Sequence, residues 1–400
     1  MRDGETHREV SVGANQQVVR KHNERLMLSM IQRHGPQAGS DLAKRTGLSP
    51  QTVSVILRSL EQDGIVRRGT PQRGRVGKPS VPIALHPDGV LSLGLNIGRR
   101  TADLVLCDFE GTVRRRRHVS YSYPQAGAIL DLLNEELRSV RQELGPRKSA
   151  RIAGIGVAMP YRIWDWQDIV GVPPGAMEHW RDINIADEIR DRTGLPAFVE
   201  NDATAACRAE LSYGDGRRFR DFGYFFVGSF VGGGVVLNHS IFDGVYGNSG
   251  AFGSLPVAGP DGTDRQLLDI ASLHLLERRL KAEGAETDRL WDDPQDWTAY
   301  EPALGDWIDT TGRAIARAAT TLSAVLDFEA VIIDGAFPAE VRRRLTARTA
   351  EALTALESRG LMLPQIVEGT IGRYARALGA ASMPVAARYF LDVHNALNSA

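Results

Sequence analysis

A chain of 400 residues exceeds one ordinary hydrophobic core and points to two or three compact units. With 42% apolar and 24% charged residues it has a soluble globular balance, and no run of about 18 apolar residues offers a membrane span. Residues 1–20 lack the apolar stretch of a secretory leader, and two distant cysteines, Cys107 and Cys207, exclude a disulfide framework, so a reducing cytoplasm is the expected compartment. The net charge of −1 conceals an asymmetry. Residues 1–85 hold 14 Lys and Arg against 7 Asp and Glu, while the remainder holds 34 against 42. A basic head on an acidic body suits contact with a polyanion.

Residues 1–19 read as a flexible, polar N-terminus and residues 20–86 as one small domain. Leu26, Met27, Met30 and Ile31 share a helical face over residues 23–33, and Gly35-Pro36 ends that helix. Ser40 reads as the cap of a short second helix. Ser49 followed by Pro50 predicts the start of a third helix over residues 50–62, with Val53, Ile56, Leu57 and Leu60 as its buried stripe. Two strands follow, residues 65–68 and 81–85, separated by a basic loop with Arg73, Arg75 and Lys78. This is a winged helix-turn-helix. Its third helix can enter a major groove while the loop follows phosphates or a narrow minor groove. Gln51 and Arg58 are the candidate base readers; Ser49, Thr52 and Ser54 can reach bases or phosphates.

From residue 88 onward, strands alternate with helices, which indicates an α/β body. Strands are expected at residues 91–97, 102–108, 151–159, 197–202 and 224–227. A helix is expected over residues 126–144, and a glycine-rich turn at residues 228–234 leads into a strand over residues 235–238.

The order of these pieces resembles the ROK family of repressors, open reading frames and sugar kinases. The resemblance covers residues 20–385. It is carried by the Gly-Arg-Val-Gly-Lys-Pro wing, Asn96 to Thr101, Val199-Glu200-Asn201-Asp202-Ala203, the glycine segment, Gly247-Asn248-Ser249-Gly250, and Ala377-Leu378-Gly379-Ala380-Ala381. It implies a two-lobed actin-like, ribonuclease H-like sugar kinase fold behind the head. The first lobe would span residues 87–200, with a helix over 384–398 returning to it; the second, with dimer contacts, would span 201–383. In family kinases the residue matching Asp202 takes the proton of the attacking sugar hydroxyl, and the one matching Asn201 holds a neighbouring hydroxyl. The bland alternative is that Asp202 only caps the following helix.

The resemblance also implies degenerate nucleotide contacts at Asn96, Gly98, Gly228, Gly232 and Gly233. Asn96 stands where the kinases have an aspartate, Arg99 and Arg100 replace a small pair, and Phe230 is bulky where small residues are usual. A neutral amide is a poor magnesium partner, and a large side chain obstructs close approach of backbone N–H groups to a phosphate. The family's Gly-Glu-x-Gly-His segment reads here Gly250-Ala251-Phe252-Gly253-Ser254, and Leu268 falls near the place of a further sugar-binding glutamate. In many members that histidine joins three cysteines on zinc; those cysteines are missing here, so no metal site is expected. Glu200, Asn201, Asp202, Ser254, Trp164 and Trp166 remain as candidate ligand residues, the tryptophans as faces for a sugar's C–H side.

The expected function is therefore a sequence-specific DNA-binding regulator, a repressor, whose body senses a sugar or sugar-like ligand without a cofactor. Its expected partners are an operator duplex, the effector, and a second copy in a homodimer or larger oligomer gripping a pseudo-palindrome; no membrane partner is expected. The alternative is an ATP- and magnesium-dependent sugar kinase with Asp202 as general base. A third possibility is a body that only dimerises.

Overall fold

The computed structural model describes residues 6–71, 81–166, 172–259, 262–291 and 296–391. The wing residues Arg73, Arg75 and Lys78 lie outside them. The head holds α1 (Thr6–His34), β1 (Gln37–Ala38), α2 (Gly39–Thr46), α3 (Pro50–Gln62), β2 (Val66–Arg68) and β3 (Pro82–Leu85). The third helix has its expected bounds: the Ser49 hydroxyl accepts from the Thr52 N–H at 3.1 Å and Pro50 opens the first turn. Two expectations need correction. The first helix starts at Thr6, not near Asn23; residues 6–22 contain no proline that would break it. This replaces the flexible N-terminus with helix from Thr6 on. Ser40 lies inside α2, whose N-cap is Ala38. A short strand that sequence reading missed, β1, pairs with β3 and closes a three-stranded sheet in the order β1-β3-β2.

The body repeats one sheet plan twice. In the first lobe β4 (Leu91–Ile97), β5 (Thr101–Asp108), β6 (Val113–Ser120), β7 (Ile152–Met159) and β8 (Ala197–Asn201) are ordered β6-β5-β4-β7-β8. Its flanking helices are α4 (Ala126–Ser149) and α5 (Ile185–Thr193). Helix α6 (Asp202–Tyr213) then leads to the second lobe. There β9 (Phe222–Val227), β10 (Val231–Leu237), β11 (Ser240–Ile241), β14 (Ala330–Gly335) and β15 (Gln365–Glu368) are ordered β11-β10-β9-β14-β15. A β12–β13 hairpin (Pro256–Ala258, Asp264–Gln266) and helices α7 (Leu268–Ala271), α8 (Leu273–Ala282), α9 (Ala303–Leu326) and α10 (Ala339–Thr354) complete that lobe. In each sheet an antiparallel trio adjoins a parallel pair. Central strands such as β4, β5 and β9 are buried along their whole length because helices cover both faces.

The closing helix, α11 (Ala375–Tyr389), starts nine residues before the expected residue 384. It is built of small residues because the neighbouring backbones pass too close for anything larger. A Cβ on Gly94 would lie 1.9 Å from the Ala377 carbonyl oxygen, one on Gly156 would lie 1.8 Å from that of Ala380, and one on Gly379 would lie 1.6 Å from that of Ala205. Glycines thus clamp α11 against β4, β7 and α6 at once. Among the described residues no helix is long and apolar enough to cross a membrane.

The head is fused to the first lobe. Met27, Leu28, Ile56, Val66 and Leu85 share one hydrophobic cluster with Val90, Phe109, Ala153 and Val385 of the body. Phe109 packs edge-on against Tyr389 at 5.4 Å and parallel to Phe390 at 5.8 Å. Arg25 of α1 donates to the Phe390 carbonyl, its Nε at 2.7 Å, and Ser29 Oγ accepts from the Leu391 N–H at 2.9 Å.

Candidate functional site

On the head, α3 buries its Val53, Ile56, Leu57 and Leu60 stripe, as expected from their spacing. Gln51 and Arg58 are exposed; Thr52 and Ser54 are half-buried. Arg58 donates to Ser54 Oγ at 3.2 Å, and Ser49 bonds Thr52 at both its amide and its hydroxyl. These side chains keep free polar edges on the surface of the helix that a major groove would accept.

The second site is a cavity of about 350 Å³ between the lobes. Asn201, Asp202, Gly232, Gly233 and Ser254 of the sequence candidates meet on its walls, with Tyr161, Arg162 and Asp165. Asn201 is the N-cap of α6: its Oδ1 accepts from the Ala203 and Thr204 N–H groups at 3.0 and 3.3 Å. Its amide nitrogen is then the group that can donate to a ligand. Asp202, the first residue of α6, accepts from Ala203 N–H through Oδ1 at 3.0 Å. Its Oδ2 lies 3.6 Å from Arg376.

Two candidates are placed elsewhere. Glu200 does not line the cavity; it is bound by Arg208, with Nε 3.0 Å from Oε2. Alternation along β8 accounts for this, because neighbours on a strand point to opposite faces. Trp164 packs against the first lobe's core with Arg181 over its ring at 5.7 Å, while Tyr161 takes the cavity wall. The side chain of Trp166 lies outside the described residues.

The nucleotide-side residues are remodelled. Asn96 is fully buried, donating to Asp103 at 3.3 Å, and its Oδ1 has no hydrogen-bond partner among the described residues. Asp103 is itself held by His118 Nδ1 at 2.6 Å. Gly98 closes the β4–β5 turn, donating to the Thr101 carbonyl at 2.9 Å. Gly228 belongs to the β9–β10 turn, but Gly232, Gly233 and Gly234 lie inside β10. Packing accounts for these three. Cβ atoms there would meet Ala203 at 2.8 Å, the Phe252 ring at 2.2 Å and Cys207 at 2.4 Å. Phe230 fills the turn, with the Arg99 guanidinium over its ring at 4.2 Å and the His274 ring tilted against it at 4.7 Å. His274, held by the Ser229 carbonyl at 3.0 Å, has its pKa lowered by burial. This arrangement does not fit a magnesium nucleotide: the carboxylate beside the turn is engaged, and an aromatic ring occupies the loop. Among the described residues no group of three His, Cys, Asp or Glu side chains could hold a metal.

Arg376 was missed by sequence reading. It sits in the first turn of α11 and reaches the cavity beside Asn96 and Gly98. Its guanidinium lies over the Phe226 ring at 5.0 Å. The available signal was a cation among Ala375, Ala377, Leu378 and Gly379, at the helix end where the dipole disfavours positive charge. Arg99 was noticed only as a departure from small residues; burial pushes its pKa down to about 10, with Asp202 opposing the shift.

Residues 92–385 match the ROK family. The chain belongs to the ROK family. Residues 21–75 of this ROK protein also match the MarR family. It is 27% identical to the xylose repressor of Bacillus subtilis over 248 residues, 61% of this chain and 62% of the repressor. It is 24% identical over 250 residues to the DNA-binding transcriptional dual regulator NagC of Escherichia coli, covering 61% of this chain and 59% of NagC. The chain thus spans about three-fifths of the length of these relatives. Among solved structures it resembles a ROK family transcriptional regulator homologous to the Escherichia coli MLC protein, with a TM-score of 0.65, 20% identity, and coverage of 92% of this chain and 96% of that one. A ROK family glucokinase from Streptomyces griseus, solved with glucose and AMPPNP, matches at a TM-score of 0.56 and 20% identity, over 73% of this chain and 98% of that one. These likenesses show a winged-helix head joined to an actin-like body.

Proposed function

We propose that this ROK protein is a sequence-specific DNA-binding repressor whose interlobe cavity senses a sugar or sugar-like effector. The observation that carries the reading is the path of α11. It begins at the cavity with Arg376 and ends at the head with Phe390, where Arg25 and Ser29 hold the chain that follows. At 1.5 Å per residue such a helix spans about 22 Å, with Pro384 inside it as the one position where the backbone ladder is interrupted. A ligand that favours one closure of the lobes tilts α11 and so reorients the head, a population shift set by the ligand's differential affinity. Two copies would present two α3 helices to a pseudo-palindromic operator. No cofactor takes part. The names of two relatives, a xylose repressor and the DNA-binding transcriptional dual regulator NagC, support the reading.

Fluorescence anisotropy on the gene's own upstream DNA tests it. Specific binding about a thousandfold tighter than to scrambled DNA at physiological salt, weakened or strengthened by a sugar, is the expected result. Equal affinity for both duplexes sinks the proposal.

Asp202 in the cavity supports a second reading, an ATP-dependent sugar kinase. A coupled ATP-consumption assay over hexoses, pentoses and amino sugars decides it: turnover lost in Asp202→Asn supports the kinase, and no turnover in the wild type removes it. The ring of Phe230 in the loop and the neutral Asn96 favour the repressor.

A further inference from the structure

The charge of the cavity identifies the class of ligand, taking the sensor reading as its premise. Among the described wall residues three guanidiniums, Arg99, Arg162 and Arg376, face two carboxylates, Asp165 and Asp202. Arg162 is committed to Asp165 at 2.7 Å. Arg376 lies 3.6 Å from Asp202, and Arg99 is near enough for the Asp202 charge to favour its guanidinium form.

Arg376 is placed at a cost that a purely structural residue would not carry. Its side chain is only 11% exposed, and it stands in the first turn of a 15-residue helix, where the dipole opposes a cation. Its Nε is buried without a hydrogen-bond partner among the described residues. Its nearest carboxylate oxygen, Asp202 Oδ2, lies at 3.6 Å, beyond hydrogen-bond length. A desolvated guanidinium with donors unmet calls for a second acceptor, and an ionised one satisfies it best. The Phe226 and Phe230 rings back the two guanidiniums and hold their planes in place. The facing wall, Ala251 and Ser254, is uncharged.

We propose that the cavity takes an anionic monosaccharide, whose carboxylate or phosphate lies between the Arg376 and Arg99 guanidiniums while Asn201 and Asp202 hold its hydroxyls. A volume of about 350 Å³ holds one sugar ring.

Titration calorimetry on the full chain tests this with matched sets: glucose, glucuronate and glucose 6-phosphate; galactose, galacturonate and galactose 6-phosphate; xylose and xylonate. An anionic member is expected to bind about tenfold or more tightly than its neutral parent. The carboxylate and phosphate arms then identify the anion. Arg376→Gln should abolish the preference and bring the anionic sugar down to its parent's affinity. Neutral parents binding as tightly as their acids in the wild type overturn the proposal, whether or not the variant folds. A preference unchanged in Arg376→Gln overturns it also. Binding by no sugar of any charge removes the proposal and the sensor reading together. An anionic sugar that binds without altering operator affinity supports the ligand class and refutes only the sensor reading.

Discussion

Truncation of Phe109 to alanine probes the seam between head and body most directly. The ring is 1% exposed and packs against Tyr389 at 5.4 Å and Phe390 at 5.8 Å, the latter pair within 2° of parallel. Removing a buried phenylalanine costs about 3–5 kcal/mol in lost transfer energy and cavity formation. Within that total an aromatic pair contributes about 0.5–1.5 kcal/mol. Urea unfolding of the wild type, Phe109→Ala, Phe390→Ala and the double variant closes a thermodynamic cycle. A coupling of about 0.5–1.5 kcal/mol is expected between the two rings. If α11 carries the signal, both single variants should also lose the effector's influence on operator affinity by about fivefold or more, while binding of the effector itself persists. A coupling below about 0.3 kcal/mol, together with an undiminished effector response, refutes the reasoning that the rings join cavity to head.

Other outcomes follow from named residues. Gln51→Ala should weaken operator binding by about 1–3 kcal/mol and relax discrimination at one base pair, read by competition with single-substituted duplexes. Gly379→Ala puts a methyl 1.6 Å from the Ala205 carbonyl oxygen, so α11 must leave its clamp. The variant should unfold in urea at a clearly lower midpoint, by at least the about 1–3 kcal/mol typical of overpacking. His274 is held neutral by burial, with its pKa below the ordinary 6.5, so the unfolded chain binds its proton first. Its contribution is complete above about pH 6.5 and is lost as pH falls from there toward its folded pKa. Thermal midpoints measured between pH 7.5 and pH 5 should fall less steeply for His274→Gln than for the wild type.

The periodic segments were legible in the sequence because burial imposes their spacing: α3 from Ser49 and its apolar stripe, and β4 from the alternation of Leu91, Leu93, Leu95 and Ile97. Asn201 and Asp202 were legible because a polar pair at a strand end opens onto the cleft. Helix α1 was underestimated because its first half is polar, without the apolar face that marks the rest. Glycines 232–234 looked like a phosphate loop, yet they sit in β10, where only the opposing Ala203, Phe252 and Cys207 reveal why side chains are excluded. Arg376 could not be read as a cavity residue from local pattern. It stands 174 positions beyond Asp202, and only the fold of α11 against α6 brings the two together.

The apolar cluster shared by head and body has a consequence for how this protein can be taken apart. A fragment ending at His86 would strip Val90, Phe109 and Val385 from the cluster to which Met27, Leu28, Val66 and Leu85 belong. Such a fragment would be sticky and poorly ordered, and grafting the head onto a foreign body would fail unless those partners travelled with it. The head is therefore no freely detachable module, and on the proposed function a protease or chimera that treats it as one would also disturb the α3 surface offered to DNA.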